Sequence, residues 1–140
     1  MSSIRQGRVL ALDYGRAHCG CALSDPLGTI ASPLEPISEP SSEPGLRKIA
    51  ALVADHEARA VVVGLPVGLS GEHGPQARET LAFVERLRAA VTVPVETYDE
   101  RFTSALARRT PGSASEHSRA AAHLLSEYLR ANVAGVEEEG

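Results

Sequence analysis

The segment that most constrains the fold is AVVVGLP, residues 60–66, which is apolar at every position until glycine and proline end it. Alternate residues of a strand point to opposite faces, so a continuous apolar run predicts a strand that is buried on both faces. Such strands lie at the centre of mostly parallel sheets with helices on both sides. The run therefore predicts an α/β fold.

The patterns around this run complete a mixed sheet covered by helices. Apolar runs bounded by turn residues predict four further strands, at 8–14, 18–24, 29–34 and 93–98. The first two are joined by a tight turn and form an antiparallel hairpin. Apolar residues at helical spacing predict three helices, over 45–59, from Pro75 onward and over about 115–133. Prolines and serines predict a loop over 32–44.

Length and charge limit the possible function classes. The 140 residues have the length of one ordinary domain, which we assign to 1–134, with an acidic, disordered tail over 135–140. No apolar run approaches the ~18 residues of a membrane span, and no apolar signal region is present, so we expect a cytoplasmic protein. The net charge of −4 argues against a basic surface over the whole molecule, although arginines can still cluster on one face.

Acidic residues stand at the ends of two predicted strands. Asp13 ends the first strand, and Asp99 and Glu100 end the last. Sites in open α/β sheets form beyond the carboxyl ends of parallel strands, so these carboxylates are expected to converge. Without a cation they would repel one another, and oxygen ligands favour Mg²⁺ or Mn²⁺. The structural alternatives are a turn-capping role for Asp13 and ordinary loop positions for the other two.

The last predicted helix contributes a third candidate, His117. Counting back by helical periods from its apolar residues reaches His117 in the first turn, on the side that faces the sheet. Those apolar residues are Ala121, Leu124, Leu125 and Tyr128. A single histidine on an apolar face is also common as a core residue with its hydrogen bonds satisfied, and this alternative stays open.

Three segments resemble the YqgF family of RNase H-like proteins: LALDYGRAHCGCALSD, VVVGLPVGLSGEHGPQARETLAFVERLR and VPVETYDERFTSALARR. Proteins of this family are assigned to Holliday junction resolution and to maturation of the pre-16S rRNA in ribosome biogenesis. The resemblance covers nearly the whole chain. It implies an RNase H-like five-stranded sheet, with Asp13 beside Glu100 and a third acidic residue from the C-terminal helix. The implied activity is metal-assisted hydrolysis of a phosphodiester.

The chain departs from the family pattern at the site itself. Aligning SEHSRAAAHLLSEYL with the last helix of the family puts His117 where an aspartate is usual. The segment between Glu100 and this helix is shorter than usual and lacks a lysine-rich loop, and His18 stands where relatives often have a basic residue. Related RNase H-like nucleases sometimes use histidine at the last site position, so His117 remains a predicted site residue.

Residues and resemblance together predict a nuclease that uses Mg²⁺ or Mn²⁺. Asp13, Glu100 and His117 are the predicted catalytic residues and metal ligands, with Asp13 bridging two ions about 4 Å apart. The residues predicted to contact substrate phosphates are Arg16, His18, Arg101, Arg108 and Arg109, with Arg119 as a further candidate. A solvated helix face is the alternative for these arginines. The predicted partners are a structured nucleic acid, either an rRNA precursor or branched DNA, and the ribosome, with the chain a monomer or a homodimer.

Two other function classes remain open from the sequence. An Asp-x-Gly turn on a first hairpin also binds phosphate in actin-like sugar kinases and ATPases, but those proteins enclose ATP with a second domain for which 140 residues leave no room. The other class is a nucleic-acid- or ribosome-binding protein of the same fold, whose catalysis is impaired by the change at His117. Nucleotide-binding calorimetry tests the first class, and a metal-dependent cleavage assay tests the second.

Overall fold

The computed structural model describes residues 7–66, 74–99 and 114–139. The strands in these residues are β1 (Arg8–Asp13), β2 (His18–Ser24), β3 (Ala31–Ser38), β4 (Ala58–Leu65) and β5 (Val95–Asp99). The helices are α1 (Glu43–Asp55), α2 (Pro75–Ala90) and α3 (Ala114–Glu139). None of these three described helices has the length and apolar character that crossing a membrane requires.

The five strands form one mixed sheet in the order β3-β2-β1-β4-β5. β2 pairs antiparallel with β1 and with β3, whereas β1 and β5 run parallel to β4. β4 contains the AVVVGLP run up to its proline, and its residues from Ala60 to Leu65 are all buried between two parallel neighbours. The predicted mixed five-stranded sheet, with an antiparallel hairpin followed by parallel strands and flanked by helices, is therefore confirmed.

Each face of the sheet carries its own apolar core. Leu10 and Leu12 of β1 pack with α1 and α2 on one face. Val9 and Ala11 of the same strand pack against α3 on the other face. Asp13 continues the alternation of Val9 and Ala11, so it lies on the face that α3 covers.

The third strand is longer than the sequence predicts. We expected a strand near residues 29–34 and a loop over 32–44, but β3 continues from Ala31 to Ser38 through Pro33 and Pro36. The loop prediction was wrong for residues 32–38, because β3 lies at an edge of the sheet, whereas residues 39–42 do connect β3 to α1 without regular structure. An edge strand tolerates proline, since the N–H groups that face away from its neighbour make no ladder hydrogen bond.

Two helix ends also differ from the prediction. α1 ends at Asp55 rather than at residue 59, because Glu57 adopts a positive φ of 55° and β4 already begins at Ala58. α3 continues to Glu139 rather than ending near residue 133, and the sequence after Pro111 contains no proline to stop it. The division of the chain into a domain and a separate tail stays a prediction.

Candidate active site

The parallel strands β1, β4 and β5 end at the same edge of the sheet. Leu12 of β1 is level with Val63 of β4, and Leu65 of β4 is level with Asp99, the last residue of β5. The carboxyl ends of parallel strands are the place where α/β sheets form their sites. Asp13, at the end of β1, is therefore at the edge that the sequence analysis singled out.

Asp13 meets His117 at this edge, although 104 positions separate them in the sequence. Nδ1 of His117 lies 3.2 Å from Oδ2 of Asp13. The histidine side chain is 36% exposed and the aspartate side chain 23%, so both are within reach of solvent. The structure thus places a carboxylate and an imidazole together on an accessible surface.

The first turn of α3 reaches Asp13 because it rests directly on β2. Gly20 is the residue opposite Asp13 in the β1–β2 ladder. A Cβ atom at Gly20 would lie 2.0 Å from the carbonyl oxygen of His117 and 2.5 Å from the amide nitrogen of Ser118. Only glycine allows two backbones to approach so closely. The glycine inside this predicted strand is the one sequence signal of a close backbone contact here.

The turn between β1 and β2 carries two predicted phosphate contacts. Arg16 is exposed, and its Nε donates a hydrogen bond to Oε2 of Glu79 in α2. This contact raises the pKa of Arg16 above its ordinary value. His18, the first residue of β2, is exposed nearby on the same hairpin. The sequence does not predict this role of Glu79, because nothing in the local pattern of α2 pairs it with this turn.

A cleft of about 610 Å³ opens between this turn and the beginning of α2. Its walls include Tyr14, Arg16, Pro66, Gln76 and Glu79. The ring of Tyr14 stacks on Phe83 of α2, with the ring centroids 4.5 Å apart, and this contact braces one wall. The Arg16–Glu79 ion pair spans the cleft.

The sequence matches the family model of RuvX, described as Holliday junction resolvase, over residues 7–131. The chain belongs to the RuvX family. A protein of Roseiflexus sp. (strain RS-1) named "Putative pre-16S rRNA nuclease" is 42% identical over 107 residues, which cover 76% of each chain. A protein with the same name from Desulforudis audaxviator (strain MP104C) is 38% identical, and the match covers 91% of this chain and 97% of that one. The predicted membership of the YqgF (RuvX) family is confirmed.

The fold also has a solved counterpart. The structure titled "T. thermophilus RuvC in complex with Holliday junction substrate" matches with a TM-score of 0.52 at 20% identity, covering 91% of this chain and 96% of that chain. At this identity the likeness concerns the fold alone. RuvC has an RNase H-like fold, so the prediction of that fold for this RuvX family member is confirmed.

The donor atoms of this RuvX family member suit a divalent cation. Neighbouring ligands of an octahedral ion with bonds of about 2.1 Å lie about 3 Å apart, close to the 3.2 Å between the carboxylate oxygen of Asp13 and the ring nitrogen of His117. Oxygen donors suit Mg²⁺ and Mn²⁺, and imidazole suits transition metals. Within residues 7–66, 74–99 and 114–139, no three His, Cys, Asp or Glu side chains form a metal-binding cluster.

The remaining predicted site residues divide into two groups. Glu100, Arg101, Arg108 and Arg109 lie outside the described residues, so their assignment stays a prediction. Arg119, the further candidate, lies on α3 with its guanidinium 3.7 Å from Glu116. The structure brings Asp13 and His117 together, and Arg16 and His18 lie on the same β1–β2 hairpin as Asp13.

Proposed function

We propose that this chain is a metal-dependent endonuclease that hydrolyses phosphodiester bonds in the precursor of 16S rRNA. The Asp13–His117 pair carries the proposal, because it places two donors for a divalent ion 3.2 Å apart at the sheet edge where sites form. Membership of the RuvX family and the names of the two relatives support a nucleic-acid substrate. A protein that processes an rRNA precursor would act in the cytoplasm, with the ribosome as a partner.

Glu100 is the third member of the proposed site. It follows Asp99, the last residue of β5. Glu96 accepts a hydrogen bond of 3.0 Å from the hydroxyl of Tyr128 in α3, and Tyr98 packs edge-on against the same ring. Even-numbered residues of β5 therefore face α3, as Asp13 does. Glu100 has the same parity, which supports its assignment as a ligand together with Asp13.

The proposed residues divide the work between holding the ion, moving a proton and binding the substrate. Bound Mg²⁺ or Mn²⁺ supplies the Lewis acidity and the activation of water that phosphodiester hydrolysis needs. Asp13 and Glu100 supply carboxylate ligands, with Asp13 shared if two ions bind, and His117 is a further ligand or exchanges a proton at a ring nitrogen. The residues proposed to hold substrate phosphates are Arg16, His18, Arg101, Arg108 and Arg109.

The test is cleavage of an end-labelled fragment of precursor 16S rRNA with Mg²⁺ or Mn²⁺. We expect wild type to cut, and Asp13→Asn and Glu100→Gln to lose cleavage, because each removes a charged ligand. His117→Ala shows whether the histidine is required. Asp55→Asn, an exposed acid at the end of α1, is the matched control and keeps full activity. Folded Asp13→Asn protein that cuts at the wild-type rate would overturn the proposal.

The description of the family model favours a second candidate function, resolution of Holliday junctions. Both functions hydrolyse the same kind of bond and would use the same site, so a four-way DNA junction is assayed beside the rRNA fragment. Preferential cutting of the junction would support the second function. If folded wild type binds these nucleic acids but cuts neither with either metal, the chain is a non-catalytic binding protein.

A further inference from the structure

Backbone contact between α3 and β2 lies directly behind the candidate site. Gly20 is the ladder partner of Asp13, and the carbonyl carbon and oxygen of His117 lie where a Cβ atom of residue 20 would be, at 2.1 and 2.0 Å. Any side chain at this position would push the first turn of α3 away from the sheet, because backbone atoms cannot rotate aside. The absence of a side chain at Gly20 thus sets how closely His117 can approach Asp13.

A buried hydrogen bond holds the same turn in place. The pairing of β2 with β3 is irregular between Cys19 and Cys21, and the amide of Cys21 donates to Oγ of Ser118 at 3.1 Å. Ser118 is only 2% exposed, so water cannot easily replace this bond. The bond joins the residue after Gly20 to the residue after His117. This bond therefore joins α3 to β2 one residue away from the close contact between Gly20 and His117.

His117 depends on this tie more than a core residue would. Its side chain is 36% exposed, so neighbouring atoms enclose the ring only in part. We propose that Ser118 and Gly20 are positioning residues, which hold His117 at the distance from Asp13 that a shared metal ion requires. Ligands bind a metal well only when the groups behind them fix their orientation. This inference rests on the proposed function, since it concerns the same site.

The chain offers a matched control for Ser118 in Ser24. Both serines are buried, at 2% and 1% exposure, and both accept a hydrogen bond from a strand amide through Oγ. Ser24 accepts from Val9 at 2.8 Å, at the opposite end of β2 from Gly20. Ser118→Ala and Ser24→Ala should therefore lower the urea midpoint to a similar extent, because each leaves a buried amide without its partner.

Three measurements separate positioning from general destabilisation, all made where each variant is fully folded. The first is the pair of imidazole ¹⁵N signals of His117 in metal-free protein at fixed pH. The second is the Mn²⁺ dissociation constant by calorimetry, and the third is the cleavage rate. We expect Ser118→Ala to shift the His117 signals, weaken Mn²⁺ binding about tenfold and slow cleavage about 10- to 100-fold. Ser24→Ala should match wild type in all three.

Equal behaviour of the two serine variants, or unchanged His117 signals in Ser118→Ala, would overturn the inference. Gly20→Ala should cause a larger loss of Mn²⁺ affinity than Ser118→Ala. If Gly20→Ala does not fold, the comparison of Ser118→Ala with Ser24→Ala still tests the inference. The metal-free signals require neither nuclease activity nor nucleic acid. If Ser118→Ala shifts them and weakens Mn²⁺ binding while wild type cuts no substrate, the nuclease proposal fails and the positioning role stands.

Discussion

Asp25 shows how a single carboxylate organises the turn that follows β2. Its Oδ1 accepts hydrogen bonds from the amides of Ile30 at 2.8 Å and Thr29 at 2.7 Å, and its Oδ2 accepts from the Thr29 hydroxyl at 2.8 Å. These donors stabilise the ionised form. Led by the Ile30 amide, they lower the pKa of Asp25 from 3.8 to about 2.

This pKa predicts acid sensitivity with a defined sign. A carboxyl whose pKa is lower in the folded state stabilises the fold above its ordinary pKa of 3.8, and the contribution is lost as the pH falls toward 2. We expect the urea midpoint of wild type to fall more steeply between pH 5 and pH 2 than that of Asp25→Asn, whose amide does not titrate in this range. Parallel curves for the two proteins would contradict the prediction.

His117 gives a second prediction, because the family resemblance implies an aspartate at its position. His117→Asp would put two carboxylates together without a cation. Unit charges about 4 Å apart repel by about 1 kcal/mol in bulk water and about 4 kcal/mol at the effective dielectric of 20 typical of a protein surface, and this half-buried site lies between the two figures. We expect the metal-free variant to unfold at a lower temperature than wild type, and Mn²⁺ to raise its melting temperature more than that of wild type.

His123→Asp is the matched control for this experiment. It lies on the same helix and creates a like-charge pair with Glu127, whose carboxylate is 3.8 Å from the ring of His123. This pair is remote from Asp13, so Mn²⁺ should stabilise it less. Equal stabilisation of both variants by Mn²⁺ would mean that the sheet edge has no special affinity for a divalent ion.

The sequence predicted the residues whose signal is local and missed those whose partner is distant. Asp13 interrupts an apolar strand and His117 continues an apolar helical stripe, so both were candidates before the structure was known. Ser118 and Glu79 carry no such signal. Ser118 accepts a hydrogen bond from the amide of Cys21, and Glu79 accepts one from Arg16 in the hairpin turn. These contacts depend on how α2 and α3 lie on the sheet.

At the scale of elements, the β1–β2 turn and α2 meet through an ion pair between two residues that line the cleft. The guanidinium of Arg16 donates to Glu79, so under the proposed function a substrate phosphate would compete with a carboxylate for the same donors. Glu79→Gln removes both this competitor and its repulsion of phosphate. We expect catalytically inactive Asp13→Asn protein to bind the rRNA fragment about two- to fivefold more tightly when Glu79→Gln is added, as a surface ion pair would allow.

The control for Glu79→Gln is Glu85→Gln on the same helix. Glu85 is exposed and its carboxylate pairs with Arg88 at 2.7 Å, and Glu85 is not among the residues that line the cleft. Both variants remove one negative charge from α2. Equal gains in affinity would assign the effect to net charge and remove the special role of the Arg16 contact.

The sequence predicted which strands and helices exist better than it predicted the residues at which they begin and end. Periodicity identified α2 from its opening proline and β4 from its apolar run. It failed for β3, because whether a proline breaks a strand depends on which side of the strand has a neighbour. The end of α1 was misplaced for a similar reason: residues 56–59 fit a helix by local composition, but pairing with β1 makes Ala58 part of β4.

At the scale of the molecule, the helices on the two faces of the sheet have different roles. α1 and α2 bury one face of the sheet, whereas α3 buries the other and also brings His117 to Asp13. Residue patterns predicted helices on both faces. The strand order β3-β2-β1-β4-β5 could not be read from local patterns, since it depends on long-range pairing.

The choice of substrate is also a property of the whole molecule, because it depends on symmetry. A resolvase cuts two strands at related positions of a junction, which requires two sites related by a two-fold axis. An enzyme that trims one end of an rRNA precursor needs one site. If the proposed rRNA function is right, light scattering at assay concentrations should give the mass of a single chain, with and without the rRNA fragment, and the fragment should be cut faster than the junction. A dimer that makes paired cuts in the junction and leaves the rRNA fragment intact would instead assign the Asp13–His117 site to Holliday junction resolution.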